Sequence, residues 1–278
     1  MGDTPDTGTR REFAFEWADF ERLRALSQAH TGIVVPDAKY EMFYARLAKR
    51  LRALGLTSFR DYADYLEAHR ETEFTPFINA LTTNLTSFFR EPHHFAYLRD
   101  QIVPAARAAG QSRLRVWSAG CSTGEEPWSI AITLAEANMP FELLATDIDS
   151  DVLDTARQGI YPLERLDGVD ERIRKRWFLR GKGRQAGKAR VRAELRERVA
   201  FQQLNLVRPF RHTEPFDVIF CRNVVIYFDK PTKMALIQRF AESLRPEGYL
   251  VMGHSESLHG LSNRFRPVGR TLYQKQGH

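Results

Sequence analysis

A glycine-rich loop followed by two carboxylates is the first feature of the sequence with residues suited to chemistry. Residues 113–118 read as a short strand that ends in the loop AGCSTG, residues 119–124, and Glu125 and Glu126 then open a helix. A glycine turn lets a ligand approach the backbone, and a helix N-terminus offers free N–H groups. The two acids disfavour a phosphate and suit a ligand with an amino group. Alternatively, they serve only to stabilise the helix N-terminus.

Asp147 is a third acid at a position suited to a ligand. It closes the next apolar run, residues 141–146, 23 positions after Gly124. At that spacing, and at the carboxyl end of a strand, an acid can accept hydrogen bonds from ribose hydroxyls. Asp149 or Ser150 can cap the following helix, so that role does not require Asp147. Together, the loop and Asp147 predict a nucleoside ligand without a pyrophosphate, such as S-adenosylmethionine.

Four longer motifs occur in series along the chain. They are LTTNLTSFFRE (81–91), WSAGCSTGEEP (117–127), ATDID (145–149) and FDVIFCRNVVIYFD (216–229), and the shorter GHSE (253–256) follows them. In content and order they resemble the CheR family, the chemoreceptor glutamate methyltransferases of bacterial chemotaxis. The resemblance extends over most of the chain.

The resemblance implies transfer of a methyl group from S-adenosylmethionine to receptor glutamates, with S-adenosylhomocysteine as the other product. Arg90 and Tyr227 are then the expected catalytic residues. The cofactor-binding residues that it implies are Asn84, Thr86, Arg90, Glu126, Asp147, Asn205, Leu206, Arg222 and Asn223. A carboxylate is already deprotonated at pH 7, so no general base is needed. No residues stand at metal-ligand spacing, and no metal is expected.

Positive charge is concentrated in one segment. The chain has a net charge of +6, but residues 171–198 carry +9 and the remaining residues sum to −3. This distribution weakens a nucleic-acid interpretation and indicates a local acidic partner. Glycines and flanking β patterns predict an inserted β subdomain at about 160–198. In some similar family members such a subdomain docks a short acidic, aromatic tail at the C-terminus of the receptor, and the resemblance implies the same role here. The candidate contacts are Arg180, Lys182, Arg184 and Lys188; the alternative is a solvated hairpin that only braces the main sheet.

A second basic surface is predicted on a helix over residues 37–54. Lys39, Arg46, Lys49 and Arg50 cluster beside its apolar stripe. Methylated receptor segments are glutamate-bearing helices, so this surface is expected to face them through charge complementarity. A face that is merely solvated is the alternative.

Alternating strand and helix patterns from residue 113 onward predict an α/β fold. We expect a doubly wound, Rossmann-like methyltransferase sheet with the small inserted β subdomain, preceded by a small all-α domain. The expected boundaries are a flexible leader at 1–12, the helical domain at 13–75, a linker and helix contributing to the cofactor site at 76–112, and the methyltransferase domain at 113–278. Thr75 and Pro76 are expected to start a helix.

Composition bounds the remaining possibilities. No apolar run approaches the ~20 residues of a membrane helix, so no membrane insertion is expected. Cys121 and Cys221 are too few for a disulfide framework and indicate a reduced, cytoplasmic protein, taken as a monomer. A nucleic-acid methyltransferase is an alternative, but NVVIY (223–227) replaces the usual Asp/Asn-Pro-Pro-aromatic turn. A non-catalytic S-adenosylmethionine sensor is another, and Arg90 and Tyr227 argue against it.

Overall fold

A computed structural model describes residues 11–277, so most of the expected leader lies outside the described part of the chain. Contacts divide these residues into two compact units. The helical unit comprises the described residues up to His30 together with Val34–Thr82, and the α/β unit comprises Thr31–Ile33 and the chain from Thr83 onward. The division falls after Thr82, whereas the sequence suggested a boundary near residue 75.

The helical unit is built from four helices around an aromatic and aliphatic core. The helices are α1 (Trp17–Thr31), α2 (Tyr40–Leu54), α3 (Phe59–Ala68) and α4 (Arg70–Leu81). The predicted end of the helix at residue 54 is confirmed, since Gly55 ends α2 with φ 69°. The Ser58 hydroxyl caps α3 by accepting a hydrogen bond from the Asp61 N–H. Phe43 and Leu47 of α2 are fully buried.

The prediction that Thr75 and Pro76 start a helix is wrong. Pro76 lies in the middle of α4, which begins at Arg70. A proline inside a helix removes one backbone hydrogen bond. Phe77 and Ile78, directly after Pro76, are buried, and this packing holds the helix together across the proline. Tertiary burial therefore outweighs the local signal of the proline.

The α/β unit contains one seven-stranded sheet with helices between its strands. Its main strands are β1 (Leu114–Ala119), β2 (Phe141–Asp147), β6 (Val199–Gln203), β7 (Phe216–Cys221), β8 (Leu244–Met252), β9 (Phe265–Gly269) and β10 (Leu272–Lys275). Its helices are α5 (His93–Tyr97), α6 (Val103–Ala108), α7 (Glu125–Glu136), α8 (Ser150–Gln158), α9 (Glu171–Trp177), α10 (Ala193–Arg196) and α11 (Lys230–Ser243). A π-helical turn, Leu98–Ile102, joins α5 to α6.

Strand order confirms the doubly wound prediction. The order is β6-β2-β1-β7-β8-β10-β9, with the first five strands parallel and the last two antiparallel to their neighbours. The order reverses around β1, so the carboxyl ends of β1, β2 and β7 meet at the position where such folds place ligands. Val116 and Trp117 of β1 are buried in cores on opposite faces of the sheet.

The basic insert forms its own antiparallel sheet. Its strands are β3 (Ile160–Pro162), β4 (Phe178–Arg180) and β5 (Lys188–Val191), in the order β3-β5-β4. The predicted inserted β subdomain is confirmed: the β patterns that flank the glycines form the antiparallel pair β4 and β5, and β3 pairs with the other side of β5. Within residues 11–277, no helix is both long and apolar enough to cross a bilayer.

Candidate active site

The loop after β1 is folded back against β2 and the segment after β7. Gly120 and Cys121 donate backbone hydrogen bonds of 2.8 and 2.9 Å to the Thr146 carbonyl at the end of β2. Gly120 has φ 88°, and a Cβ at this position would lie 2.3 Å from the Val224 side chain. Glycine is therefore required here both by the backbone conformation and by the close approach of a neighbour.

Asp147 holds this loop in place from the end of β2. Its carboxylate accepts hydrogen bonds from the Ser122 N–H at 2.8 Å and from the Asp149 N–H at 3.0 Å. Burial raises the pKa of Asp147 to about 6, and the backbone hydrogen bonds oppose that shift. Asp149 caps α8, as predicted, so Asp147 is not needed there.

Glu126 and Arg222 form a buried ion pair between the helix after the glycine loop and the end of β7. The Glu126 carboxylate accepts hydrogen bonds from the Ser118 hydroxyl at 2.7 Å and from Arg222 Nη1 at 3.1 Å. Burial raises the pKa of Glu126, while the Arg222 charge acts to lower it. The other terminal nitrogen of Arg222 donates to the Arg90 carbonyl and lies 3.6 Å from the Glu91 carboxylate. Arg222 thus links α7, the helix after the glycine loop, to the segment that carries Arg90.

Arg90 lies on a tightly turned segment. Its neighbours Phe89 and Glu91 have φ 52° and 58°, the left-handed region that only a few per cent of residues other than glycine adopt. The Arg90 guanidinium donates to the Leu85 carbonyl at 3.0 Å. Further back along the segment, the Asn84 amide donates to the Asp149 carboxylate at 2.9 Å. This anchoring ties both ends of the 84–91 segment to the carboxyl edge of the sheet.

The remaining candidate residues are placed as follows. The Leu204 N–H donates to the Asp147 carbonyl, which brings Asn205 beside the end of β2, and the Asn205 side chain accepts from the Val207 N–H. Leu206 is buried, and Thr86, Asn223 and Tyr227 are half-buried. The Tyr227 hydroxyl makes no hydrogen bond within residues 11–277. Hydrogen bonds thus join the surroundings of all the candidates except Thr86, whose side chain makes no hydrogen bond within residues 11–277.

Glu125 and Glu256 complete the site and had no firm role in the sequence. Glu125 is fully buried, accepts a hydrogen bond from the Thr123 hydroxyl at 2.6 Å and pairs with Arg165, so its role is to hold the loop. Glu256 accepts backbone hydrogen bonds from the segment after β7. The only signal for Glu256 in the sequence was its place in the short GHSE motif.

The predicted basic surface on α2 divides into two classes of residue. Arg46 donates to the Leu81 and Thr82 carbonyls at the end of α4. Arg50 pairs with the buried Glu73 at 2.6 Å. Both half-buried arginines therefore have partners inside the helical unit. Lys39 and Lys49 are exposed.

The four candidate charges of the insert are unlike the arginines of α2. Arg180, Lys182, Arg184 and Lys188 are all exposed. In the described part of the chain they form no ion pair, whereas Arg172 and Arg176 of α9 both pair with Glu136. The insert therefore presents unpaired positive charge around the β4–β5 hairpin.

Two sets of side chains could suggest other chemistry. Glu91, His93 and His94 have potential metal-ligand atoms within 4.8 Å of one another. The Arg222 guanidinium lies 3.6 Å from the Glu91 carboxylate and opposes a second cation there, so we assign this cluster to structure. Cys121 and Cys221 are free, and burial raises the pKa of both thiols, which leaves them unreactive.

Comparison with known proteins gives the same result for both units. Residues 18–82 match the family described as CheR methyltransferase, all-alpha domain, and residues 84–274 match CheR methyltransferase, SAM binding domain. The chain is 49% identical to chemotaxis protein methyltransferase 2 of Pseudomonas aeruginosa over 95% of each chain. It is 47% identical to the chemotaxis protein methyltransferase of Escherichia coli, over 92% of this chain and 90% of the relative. The chain therefore belongs to the CheR family and is a chemotaxis methyltransferase that uses S-adenosylmethionine.

Proposed function

We propose that this protein methylates glutamate side chains of chemoreceptors, forming methyl esters. The observation that carries the proposal is the assembly at the carboxyl ends of β1, β2 and β7. There the glycine loop, Asp147, the Glu126–Arg222 pair and the Arg90 segment are joined by hydrogen bonds. The loop offers backbone N–H groups and carboxylates but no lysine or arginine that would suit a phosphate.

The proposed cofactor contacts follow from this chemistry. Asp147 accepts from the ribose hydroxyls, and Asn205 and Leu206, placed beside the end of β2, contact the adenine. The methionyl end of the cofactor lies toward Glu126, whose carboxylate suits an ammonium group. Asn84, Thr86, Arg90, Arg222 and Asn223 complete the pocket, with the side chain of Arg222 acting through Glu126 and the Arg90 carbonyl.

When bound, S-adenosylmethionine supplies a methyl group that is already activated on a sulfonium. The bond from the glutamate carboxylate oxygen to the methyl carbon forms as the carbon–sulfur bond breaks, and no proton moves. We propose that Arg90 holds the substrate carboxylate and that the Tyr227 hydroxyl donates a hydrogen bond that orients it. Placement and exclusion of water are then the contributions of the protein.

A first experiment tests the placement of the cofactor. Asp147→Ala removes the acceptor for the ribose and should weaken S-adenosylhomocysteine binding by ~1–3 kcal/mol in calorimetry. Asp154→Ala, an exposed carboxylate on α8, is the matched control and should bind normally. Unchanged affinity in a folded Asp147→Ala protein would remove Asp147 from the pocket.

The pH dependence of cofactor binding gives a second measure of the same contact. The pKa of Asp147 is about 6 without ligand. Ribose hydroxyls donate to the ionised form, so binding lowers this pKa, and by linkage the affinity must rise as the pH rises through 6. We expect tighter binding at about pH 7 than at about pH 5, and a smaller difference for Asp147→Ala. Affinity that weakens with rising pH would contradict the assignment.

The catalytic roles are tested on transfer itself. Tyr227→Phe should lower the turnover of radiolabelled methyl onto receptor while leaving cofactor affinity unchanged, and the label should be released by base, as an ester requires. A normal rate for Tyr227→Phe would make this residue structural. Label that resists base would contradict ester formation.

We further propose how the receptor is held. The edge strand β4 accepts an acidic, aromatic receptor tail as an added strand, beside Arg180, Lys182, Arg184 and Lys188. Leu179 of β4 is 48% exposed and offers an apolar contact for an aromatic side chain. Lys39 and Lys49 steer the glutamate-bearing helices. In this proposal the protein acts as a monomer in the cytoplasm, beside the cytoplasmic domain of the receptor.

A further inference from the structure

Glu256 is a buried carboxylate whose hydrogen bonds all lead to one short segment and its anchor. Its two oxygens accept from the N–H groups of Gly253 at 2.7 Å, Asn223 at 2.9 Å, Val224 at 2.9 Å and Ile226 at 3.3 Å. The residue is 4% exposed. Backbone N–H groups bonded to an ionised oxygen form stronger hydrogen bonds than those bonded to a neutral acceptor. One side chain therefore satisfies most of the backbone donors of residues 223–226.

Glu256 holds the segment of residues 223–227, which ends at Tyr227. Asn223 has φ 60°, a conformation that is costly for a residue other than glycine and needs support from its surroundings. Residues Val225–Tyr227 then form a single 3-10 turn. A turn this short has few hydrogen bonds of its own, so its position depends on the Glu256 carboxylate.

Two glycines lie very close to the same segment. A Cβ at Gly253 would lie 2.6 Å from Nδ2 of the Asn223 side chain. A Cβ at Gly120 would lie 2.3 Å from the Val224 side chain. Gly120 belongs to the glycine loop after β1, so Val224 brings the segment into direct contact with that loop. The close packing fixes where the segment lies, and Glu256 fixes its conformation.

From this geometry we propose that Glu256 is the positioning residue for Tyr227 in methyl transfer. The inference rests on the proposed role of Tyr227. Glu256 makes its contacts with backbone N–H groups, so it acts by setting the place of the Tyr227 hydroxyl. Misplacement of a reacting or orienting group by about 1 Å costs on the order of 100-fold in rate.

The test replaces Glu256 by Gln, which keeps the size of the side chain but removes its charge and turns an NH₂ group toward backbone donors. We expect kcat per cofactor-binding molecule to fall on the order of 10–100-fold, whereas S-adenosylhomocysteine affinity, to which the adjoining Asn223 contributes, should fall by a clearly smaller factor. The control is Asp217→Asn. Asp217 is a buried carboxylate at the other end of β7 that accepts from the Arg115 N–H and pairs with Arg245. Its loss should lower stability without changing kcat.

A double-variant cycle separates positioning of Tyr227 from a general effect on the fold. If Glu256 acts through Tyr227, adding Glu256→Gln to Tyr227→Phe should lower kcat by only about threefold or less. The inference would be overturned if the two substitutions lowered kcat independently, so that their factors multiplied in the double variant. An unchanged kcat in Glu256→Gln would overturn it as well. If Glu256→Gln does not fold, Glu256→Asp, which keeps the charge on a shorter arm, takes its place in the cycle. A normal rate for Tyr227→Phe alone would instead refute the proposed role of Tyr227.

Discussion

The two basic regions of this protein look alike in sequence and differ in structure. On α2, Arg46 and Arg50 donate to groups of the helical unit, one to the end of α4 and one to the buried Glu73. In the insert, by contrast, the charges of the β4–β5 hairpin are exposed and have no ion pair in the described part of the chain. The same concentration of charge thus stabilises the fold in one place and is left available to a partner in the other.

The difference follows from what each region can offer as a hydrogen-bond acceptor. The planar guanidinium of arginine has five donors and matches carboxylates and helix-end carbonyls, whereas lysine has a compact, strongly hydrated charge. Arg46 and Arg50 of α2 find acceptors at the end of α4 and on Glu73, whereas Lys49 of α2 and Lys39, in the turn before it, remain exposed. The hairpin loop, residues 181–187, contains three glycines and no acid, so even its arginine finds no carboxylate nearby. Charge clusters in a sequence therefore need to be judged together with the acceptors that the fold brings to them.

The largest expected effect is the loss of the Arg50–Glu73 pair. Arg50→Ala leaves the Glu73 carboxylate, which is 4% exposed, with the Tyr62 hydroxyl as its one remaining partner among residues 11–277. We expect the free energy of unfolding at pH 7 to fall by about 3 kcal/mol in urea denaturation. Arg52→Ala on the same helix is the control: the Arg52–Glu12 pair is exposed on both sides, and its loss should be hardly measurable. Equal losses of unfolding free energy in Arg50→Ala and Arg52→Ala would show that the Arg50–Glu73 pair stabilises the fold no more than an exposed pair does.

Arg46 should give a smaller loss of stability. Arg46→Ala removes charge-assisted donors from the Leu81 and Thr82 carbonyls, which end α4. We expect a loss of about 2 kcal/mol in the same denaturation experiment. Arg46→Lys keeps the charge but lacks the planar set of donors of a guanidinium. It should therefore recover only part of the lost stability. Full stability in Arg46→Ala would place this residue with Lys39 and Lys49, as a charge available to a partner.

Neutralising the exposed charges of the insert should weaken peptide binding and hardly change the free energy of unfolding. Changing Arg180, Lys182, Arg184 and Lys188 to Gln should leave unfolding within about 0.5 kcal/mol. The affinity for an acidic, aromatic peptide should fall about tenfold at low salt, or 1.4 kcal/mol. A control with the same change in net charge replaces Arg60, Arg70, Arg99 and Lys230 by Gln. A similar loss of affinity in the control would show that the peptide responds only to the net charge of the protein. If the unmodified protein does not bind the peptide at all, the insert has no docking role.

Much of this site could be predicted from the sequence because its motifs follow the chain's own order of strands. The glycine loop follows β1 and Asp147 is the last residue of β2, and parallel strands bring such residues to one edge of the sheet. The contacts that join these motifs could not be predicted in this way. Arg222 meets Glu126 and the Arg90 carbonyl across more than 90 positions of sequence, and Glu256 meets Asn223 across 33. Such pairings depend on tertiary geometry, which no local pattern contains.

The smallest expected effect concerns the charges that α2 and the turn before it leave exposed. Changing Lys39 and Lys49 to Glu alters no hydrogen bond or ion pair within residues 11–277, so stability should stay within about 0.5 kcal/mol. If these lysines steer glutamate-bearing receptor helices, the rate of methylation at low salt should fall a few-fold. That difference should disappear at about 0.5 M salt, because screening removes interactions between exposed charges. Lys39→Gln and Lys49→Gln should give about half the effect on the logarithm of the rate, since half the charge change is made. Equal rates for the Lys39→Glu, Lys49→Glu protein and the unmodified protein at low salt would mean that this face is only solvated, and that the insert alone carries the electrostatic recognition of the receptor.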